Sequence, residues 1–180
     1  KLNNQININD FSNFKDQFGN KVTSKESKFL LEKKLLKIKS VKMIDELNNE
    51  YYFKNAIVNF KTSEIIADGI KINFVKNAFG NKENDPRLKG NYFYSSNNQS
   101  LIKKGVFTTC KKRQDKCPPW QFKAEEIKHD KSKKTIYYKN AWLELYDKPV
   151  VYFPKFFHPD PTVKRQSGFL MPKFESSSSL

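Results

Sequence analysis

The 180-residue chain has few of the residues from which active sites and metal centres are usually built. It contains two histidines, His129 and His158, two cysteines and six singly scattered glycines. No glycine-rich phosphate loop, Ser-His-Asp signature or metal-ligand spacing is visible. We therefore predict that the protein is not an enzyme and uses no metal ion or other cofactor. Both histidines are expected at turns or at the surface.

Long apolar runs are also missing. No stretch approaches the roughly 20 residues that a membrane-spanning helix needs. The chain opens with Lys1 and shows no basic-then-apolar leader. It stops within a strand-like pattern, at Ser176 to Leu180. We expect a piece of a longer protein, so the missing leader leaves its compartment open.

Aromatic residues and lysine are abundant instead. Aromatics make up 14% of the chain, with 16 phenylalanines, which is too much apolar bulk for a disordered protein. Lys and Arg outnumber Asp and Glu by 34 to 19, for a net charge of +15. Such a surface favours polyanions, namely nucleic acid, anionic lipid or phosphorylated glycolipid. A general preference for lysine at solvent-facing positions would explain the same excess.

Hydrophobic periodicity favours strands. Most apolar runs alternate with a period near two, and polar turn-rich clusters separate them. The run from Phe29 to Lys42 fits either one helix or two strands joined by a turn at Glu32-Lys33-Lys34. Many short strands with polar turns predict an all-β sandwich, barrel or solenoid. The clearest strand-like runs are Ile57–Phe60, Ile70–Val75, Trp120–Ile127, Thr135–Leu145 and Val150–Phe157.

An internal sequence repeat supports stacked strands. Asp45 to Ala56 and Asp130 to Ala141 share five of twelve positions at a constant offset of 85 residues. Because side chains alternate across a strand, one face of both copies is apolar and is expected inside, while Asn59 and Glu144 are expected on the other face. Repeated turn-strand units suggest rungs that share an apolar interior. The predicted groove residues are Ala56, Val58, Phe60, Ala141, Leu143 and Leu145.

The two cysteines flank a basic segment of six residues. Cys110 and Cys117 have no nearby Cys or His partners and would make a poor zinc site. A disulfide between them would suit an oxidising compartment, and two separate thiols remain the alternative. The basic and aromatic composition also allows a nucleic-acid-binding β-domain, although no nucleic-acid motif is recognisable.

A group of motifs lies in the second half of the chain. They are Gly105–Cys110, Pro118–Ala124, His129-Asp130, Ile136–Ala141, Pro149–Phe157 and Asp160–Pro172. The junction after His158 is the sharpest part, with Pro159 and Pro161 around Asp160, then Ser167-Gly168 and an apolar run. Together these motifs resemble the outer-membrane LPS-assembly protein family (LptD/OstA). The resemblance extends from about Lys89 to Leu180, and the first 88 residues match only the looser OstA-type repeat style.

The resemblance implies a fold, a compartment and partners. It implies a periplasmic β-jellyroll of stacked OstA-type strands with an apolar groove over residues 1–157. Residues 158–180 would be a linker and the first strand of a transmembrane β-barrel. The implied function is to accept lipopolysaccharide from a periplasmic bridge protein and pass it to an outer-membrane barrel plugged by a lipoprotein. A soluble bridge protein of similar fold is the runner-up.

The resemblance also implies roles for single residues. Cys110 matches a family cysteine that pairs with a distant one, but the neighbouring Cys117 places that pairing in doubt, and within this chain we predict a Cys110–Cys117 disulfide. Pro172 matches a proline of the first barrel strand. Since proline has no N–H to donate, it is expected at a weak seam that eases lateral opening for the lipid.

Overall fold

The computed structural model describes residues 4–10, 12–15, 20–76, 78, 82–112, 118–160 and 163. The all-β prediction is confirmed, because this part of the chain forms strands of one antiparallel sheet. It contains no helix long and apolar enough to cross a membrane. The strands are β1 (Gln5–Ile8), β2 (Ser12–Lys15), β3 (Lys21–Ser24), β4 (Glu26–Leu30), β5 (Leu35–Ile44), β6 (Glu50–Asn59), β7 (Glu64–Asn73), β8 (Arg87–Ser95), β9 (Gln99–Thr108), β10 (Trp120–Asp130), β11 (Thr135–Leu145) and β12 (Lys148–Pro159).

The sheet is a meander from β5 to β12, in which each strand pairs with the next. At the other side, β5 pairs with both β3 and β4, and β1 and β2 complete the sheet by pairing with β4 and β3. β12 pairs with β11 alone among the described strands, so the sheet stays open. The two-strand interpretation of Phe29 to Lys42 is confirmed, because residues 31–34 form a turn between β4 and β5.

Every long strand bends at one level of the sheet. In β5, β7, β9 and β11 the bend is made by a residue with φ between 48° and 61°, namely Ser40, Gly69, Lys104 and Asn140. The pairing register skips these positions and those facing them, such as Lys54 in β6. Side-chain alternation shifts by one residue here, so Phe53 and Ala56 are both buried with two residues between them. We call this level the fold line.

The fold line divides the inward side chains into four rows. Each row crosses β5 to β12, and neighbours in a row are paired in register or face the same side. Row 1 is Leu36, Val58, Ile65, Ser95, Ser100, His129, Ile136 and His158. Row 2 is Ile38, Ala56, Ala67, Phe93, Ile102, Ile127, Tyr138 and Phe156. Row 3, across the fold line, is Val41, Phe53, Ile70, Gly90, Gly105, Ala124, Ala141 and Phe153. Row 4 is Met43, Tyr51, Ile72, Leu88, Phe107, Phe122, Leu143 and Val151.

Small residues cluster beside the fold line because the two halves of the sheet approach each other there. A Cβ added at Gly105 would overlap the Cδ1 atom of Ile127, and one at Gly90 would overlap Ile102. The rings of Phe53 and Phe93 lie 5.5 Å apart although they come from opposite sides of the line and two strands apart. The sheet thus bends over its own apolar face, and the core lies in the angle.

Candidate functional site: an apolar cavity inside the bent sheet

The inner face of the sheet encloses a cavity of about 1530 Å³. This exceeds the roughly 300–1000 Å³ of typical small-molecule pockets. Both sides of the fold line contribute to its wall, and most of the contributing side chains are apolar. They include Leu36, Ile38, Val41, Met43, Tyr51, Phe53, Ala56, Val58, Ile65, Ile72, Leu88, Phe93, Ile102, Phe107 and Ile127.

Aromatic rings fill the interior at the β10–β12 side of the sheet. The Phe122 ring lies 5.2 Å from Tyr138 and 5.8 Å from both Phe153 and Phe156. We call these four residues the aromatic cluster. Phe122 belongs to row 4 and Tyr138 and Phe156 to row 2, so the cluster bridges the fold line. The hollow therefore lies mainly over β5 to β9.

Four polar side chains line the cavity near the row 1 positions of β8 to β12. They are Ser95, His129, Lys131 and Asp160. His129 Nε2 lies 2.8 Å from Asp160 Oδ2, and Lys131 Nζ donates to Ser95 Oγ over 3.0 Å. Burial lowers the pKa of the Lys131 ammonium. Among the residues that the structure describes, no group of three or more His, Cys, Asp and Glu side chains is placed to hold a metal ion. These polar side chains can accept hydrogen bonds from a ligand or donate them to it.

The expectation of a surface histidine is wrong for His158, which is 5% exposed. Its Nδ1 lies 2.6 Å from the Pro159 carbonyl oxygen and must donate to it, which leaves Nε2 to accept from the Tyr138 hydroxyl at 2.9 Å. Burial lowers the pKa of His158 and raises that of Tyr138. The pair is therefore neutral and joins β11 to β12 beside the aromatic cluster.

The structure separates the two sets of predicted groove residues. Ala56, Val58 and Phe60 all lie along the cavity, with Ala56 buried and Phe60 54% exposed at the margin. Ala141, Leu143 and Leu145 are not part of its wall. The 85-residue offset leads from β6 to β11, which run in opposite directions, so the second set extends away from the fold line on the other side. There Ala141 and Leu143 pair in register with Phe153 and Phe122.

Two residues were expected on the opposite, outer face. Asn59 contributes to the cavity wall. Glu144 is 8% exposed and accepts a hydrogen bond from Gln121 Nε2 at 2.8 Å, with Lys123 Nζ at 2.7 Å. Gln121 and Lys123 alternate along β10 with the inward Phe122, so Glu144 lies with them on the outer face, and the register shift beside it skips Val150 of β12. Ile57 of β6 and Ile66 of β7 are exposed on the outer face of these cavity-forming strands.

The remaining predicted sites fall largely outside the described residues. Cys110 lies in the loop after β9, where its Sγ is 3.7 Å from the Trp120 carbonyl oxygen, and it has no disulfide partner among the described residues. Cys117 lies outside them, so the Cys110–Cys117 disulfide stays a prediction. Pro172 also lies outside them.

The sequence signal for the cavity was present but concealed by the bend. Apolar residues recur at positions i, i+2, i+5 and i+7, as in Ile65, Ala67, Ile70 and Ile72 of β7. A strict period of two breaks at the three-residue step, so inward residues on the far side of the bend, such as Phe53 and Tyr51 in β6, were not predicted. The step recurs in every strand from β5 to β12 and would have located the fold line.

Comparison with known proteins adds a family resemblance to this geometry. No family model matches the chain. It is 37% identical to the LPS-assembly protein LptD of Idiomarina loihiensis over 86 residues, or 46% of this chain. The proteins of the same name from Pseudomonas fluorescens and Shewanella denitrificans are 33% and 36% identical over 95 and 88 residues, or 51% and 47% of this chain.

The chain is similar to LPS-assembly protein LptD. The resemblance inferred from the sequence motifs is thereby confirmed for about half of the chain. The chain spans about 10% of the length of these relatives.

Proposed function

We propose that this chain takes part in lipopolysaccharide transport and assembly, as a β-jellyroll that holds the acyl chains in its interior cavity. The cavity carries the proposal. It is apolar, it is larger than a metabolite needs, and it is bounded by residues of at least seven strands. The similarity to LPS-assembly protein LptD supports lipopolysaccharide as the lipid.

The energetics favour a lipid with several acyl chains. Each CH₂ group removed from water contributes about 0.8 kcal/mol, so a trough of this size can supply much of the affinity without polar contacts. A phosphorylated head group would stay near the lysine-rich surface of a chain whose net charge is +15. Transport of this kind needs no covalent step.

The handover is the finer part of the proposal. We place residues 1–157 in a periplasmic jellyroll, and we place residues 158–180 in a linker that continues into an outer-membrane barrel. The lipid would arrive from a periplasmic bridge protein and enter a barrel plugged by a lipoprotein. β12 itself extends to Pro159, so the strand leads directly into that junction. A soluble bridge protein would lack the barrel, and the downstream sequence distinguishes the two.

Photo-crosslinking of neighbouring positions tests the cavity. A photoreactive amino acid at Val58 or Ile65, which line the cavity, should capture lipopolysaccharide. The same group at Ile57 or Ile66, each adjacent in sequence but exposed on the outer face, should not. The two pairs match in strand, size and neighbours and differ only in the face they present.

Two outcomes would contradict the proposal. Equal capture at inward and outward positions would mean that lipid adheres to the surface. Capture of single-stranded nucleic acid rather than lipid, abolished by salt, would favour the nucleic-acid alternative, because phosphate-dominated binding weakens steeply with salt.

A further inference from the structure

The outer face of β11 and β12 carries four exposed aromatic side chains in two contacting pairs. Trp142 and Tyr152 have ring centroids 4.7 Å apart, and Tyr137 and Phe157 have centroids 6.0 Å apart. The exposed fractions are 41% and 44% for the first pair and 36% and 57% for the second. Large aromatic rings are usually among the most buried side chains, so a paired, exposed set indicates an interaction surface.

Two lysines lie between the aromatic pairs. Lys139 and Lys155 are paired in register, at the level between Tyr137–Phe157 and Trp142–Tyr152, and both are exposed. Like charges directly opposite each other are unfavourable in a sheet. On its other side Lys139 is paired in register with Glu126 of β10, so the uncompensated charge of this pair lies mainly at Lys155 on the edge strand. Neither lysine makes an ion pair with another residue of the described ranges. An anionic partner would relieve this repulsion.

The combination fits an anionic lipid surface. Trp and Tyr have an apolar ring and a polar edge, which is why they concentrate at the head-group level of membranes. Lysines add about 1 kcal/mol each when they lie near an anionic bilayer. The β11 segment from Tyr137 to Trp142 and the β12 segment from Tyr152 to Phe157 contain no acidic residue. The neighbouring carboxylates lie on β10, where Glu125 accepts a hydrogen bond from Asn140 and Glu126 is paired in register with Lys139.

We propose that the outer face of β11 and β12, formed by Tyr137, Lys139, Trp142, Tyr152, Lys155 and Phe157, binds the surface of an anionic phospholipid bilayer. We call it the aromatic–lysine patch. The patch lies on the opposite face of the sheet from the cavity. It is independent of the lipid that the cavity holds, and it would orient the domain on a membrane by one face.

Vesicle sedimentation of the whole chain tests the proposal. The chain should sediment with phosphatidylcholine vesicles that contain about 30% phosphatidylglycerol and far less with phosphatidylcholine alone. The double variant Lys139→Gln/Lys155→Gln should bind the anionic vesicles about thirtyfold more weakly, as expected for about 1 kcal/mol per lysine. Lys71 and Lys89 form a matched control, since they are another exposed lysine pair opposite each other on β7 and β8. Lys71→Gln/Lys89→Gln should lose much less affinity.

Tryptophan fluorescence identifies the face that touches the bilayer. Emission should shift to shorter wavelength on binding, and Trp142→Phe should remove the shift while leaving sedimentation largely intact, since the other tryptophan, Trp120, packs against Phe107 inside. An absence of binding to anionic vesicles would overturn the proposal. So would equal losses in the two lysine variants, which would reduce the effect to net charge, or an unchanged shift in Trp142→Phe.

Discussion

At the scale of single residues, Gly105 shows how tightly the bend is packed. Its neighbours on the inner face are Ile127 and Ile102, and any Cβ would overlap the Ile127 side chain. We predict that Gly105→Ala lowers the free energy of unfolding by about 1–3 kcal/mol, the usual cost of overpacking a core. Urea denaturation measures the change.

A double-mutant cycle tests the cause of that loss. Ile127→Val removes the Cδ1 atom that the new Cβ would meet. On its own this variant should cost about 0.5–1.5 kcal/mol. In its background, Gly105→Ala should cost clearly less than in the parent chain. Additive effects would mean that the loss comes from the backbone and not from this contact.

His158 makes stability depend on pH. Burial lowers its pKa from the ordinary 6.5, with Asp160 opposing and His129 adding to the shift. The folded state binds the proton less readily than the unfolded state, so this contribution is complete above pH 6.5 and declines as the pH falls through that value. It levels off below the lowered pKa of the folded state.

We therefore predict a lower free energy of unfolding at about pH 5 than at about pH 8, and a smaller difference in His158→Gln. Chemical denaturation across this range measures both. Since Gln can still accept from the Tyr138 hydroxyl, the variant keeps a partner for that buried group. An equal pH dependence in the variant would show that the effect does not come from His158.

At the scale of elements, the sequence predicted the strands better than their geometry. Alternation located β10, β11 and β12 and part of β6 and β7, whereas no run was predicted for β8 or β9. The bend was missed because residues such as Lys104 and Asn140 adopt positive φ without being glycine. Only the register between strands reveals that these residues lie at one level, and register is a property of pairing rather than of any single strand.

The backbone conformation at the fold line predicts that glycine substitutions at two lysines change the free energy of unfolding in opposite directions. Lys104 has φ 51°, a left-handed conformation that costs a non-glycine residue about 1–2 kcal/mol. The conformational cost of a positive φ is smaller for glycine, which occupies the same level of β7 as Gly69. Lys104→Gly should therefore raise the free energy of unfolding by up to about 1 kcal/mol, measured by urea denaturation.

Lys54 is the matched control for this effect. It lies at the same level on β6, is exposed like Lys104, and has no positive φ. Lys54→Gly should lower the free energy of unfolding by about 0.5–1 kcal/mol, because glycine then only adds flexibility to the unfolded chain. Losses of equal size in both variants would show that the left-handed conformation at Lys104 is not strained.

At the scale of the whole molecule, the open meander explains why the interior is hollow on one side. Aromatic side chains are large enough to bridge the fold line at β10 to β12, where Phe122, Tyr138 and Phe156 meet. Over β5 to β9 the facing residues are mostly aliphatic or small, and a gap remains. Composition alone could not reveal this division, because it depends on which side chains the pairing register brings opposite each other across the fold line.

A hollow core predicts that a fitting lipid stabilises the fold. A ligand that binds only the folded state adds about 2.7 kcal/mol when present at 100 times its Kd, which for a chain of this length raises the Tm by roughly 5–10 °C. Lipopolysaccharide should produce this shift, and its deacylated core should not. Ile65→Trp, which places a larger ring at the cavity wall, should reduce the shift, whereas Ile66→Trp on the exposed face should preserve it. Differential scanning fluorimetry compares the four cases. A shift with the deacylated form, or equal shifts in the two variants, would place the binding energy outside the cavity.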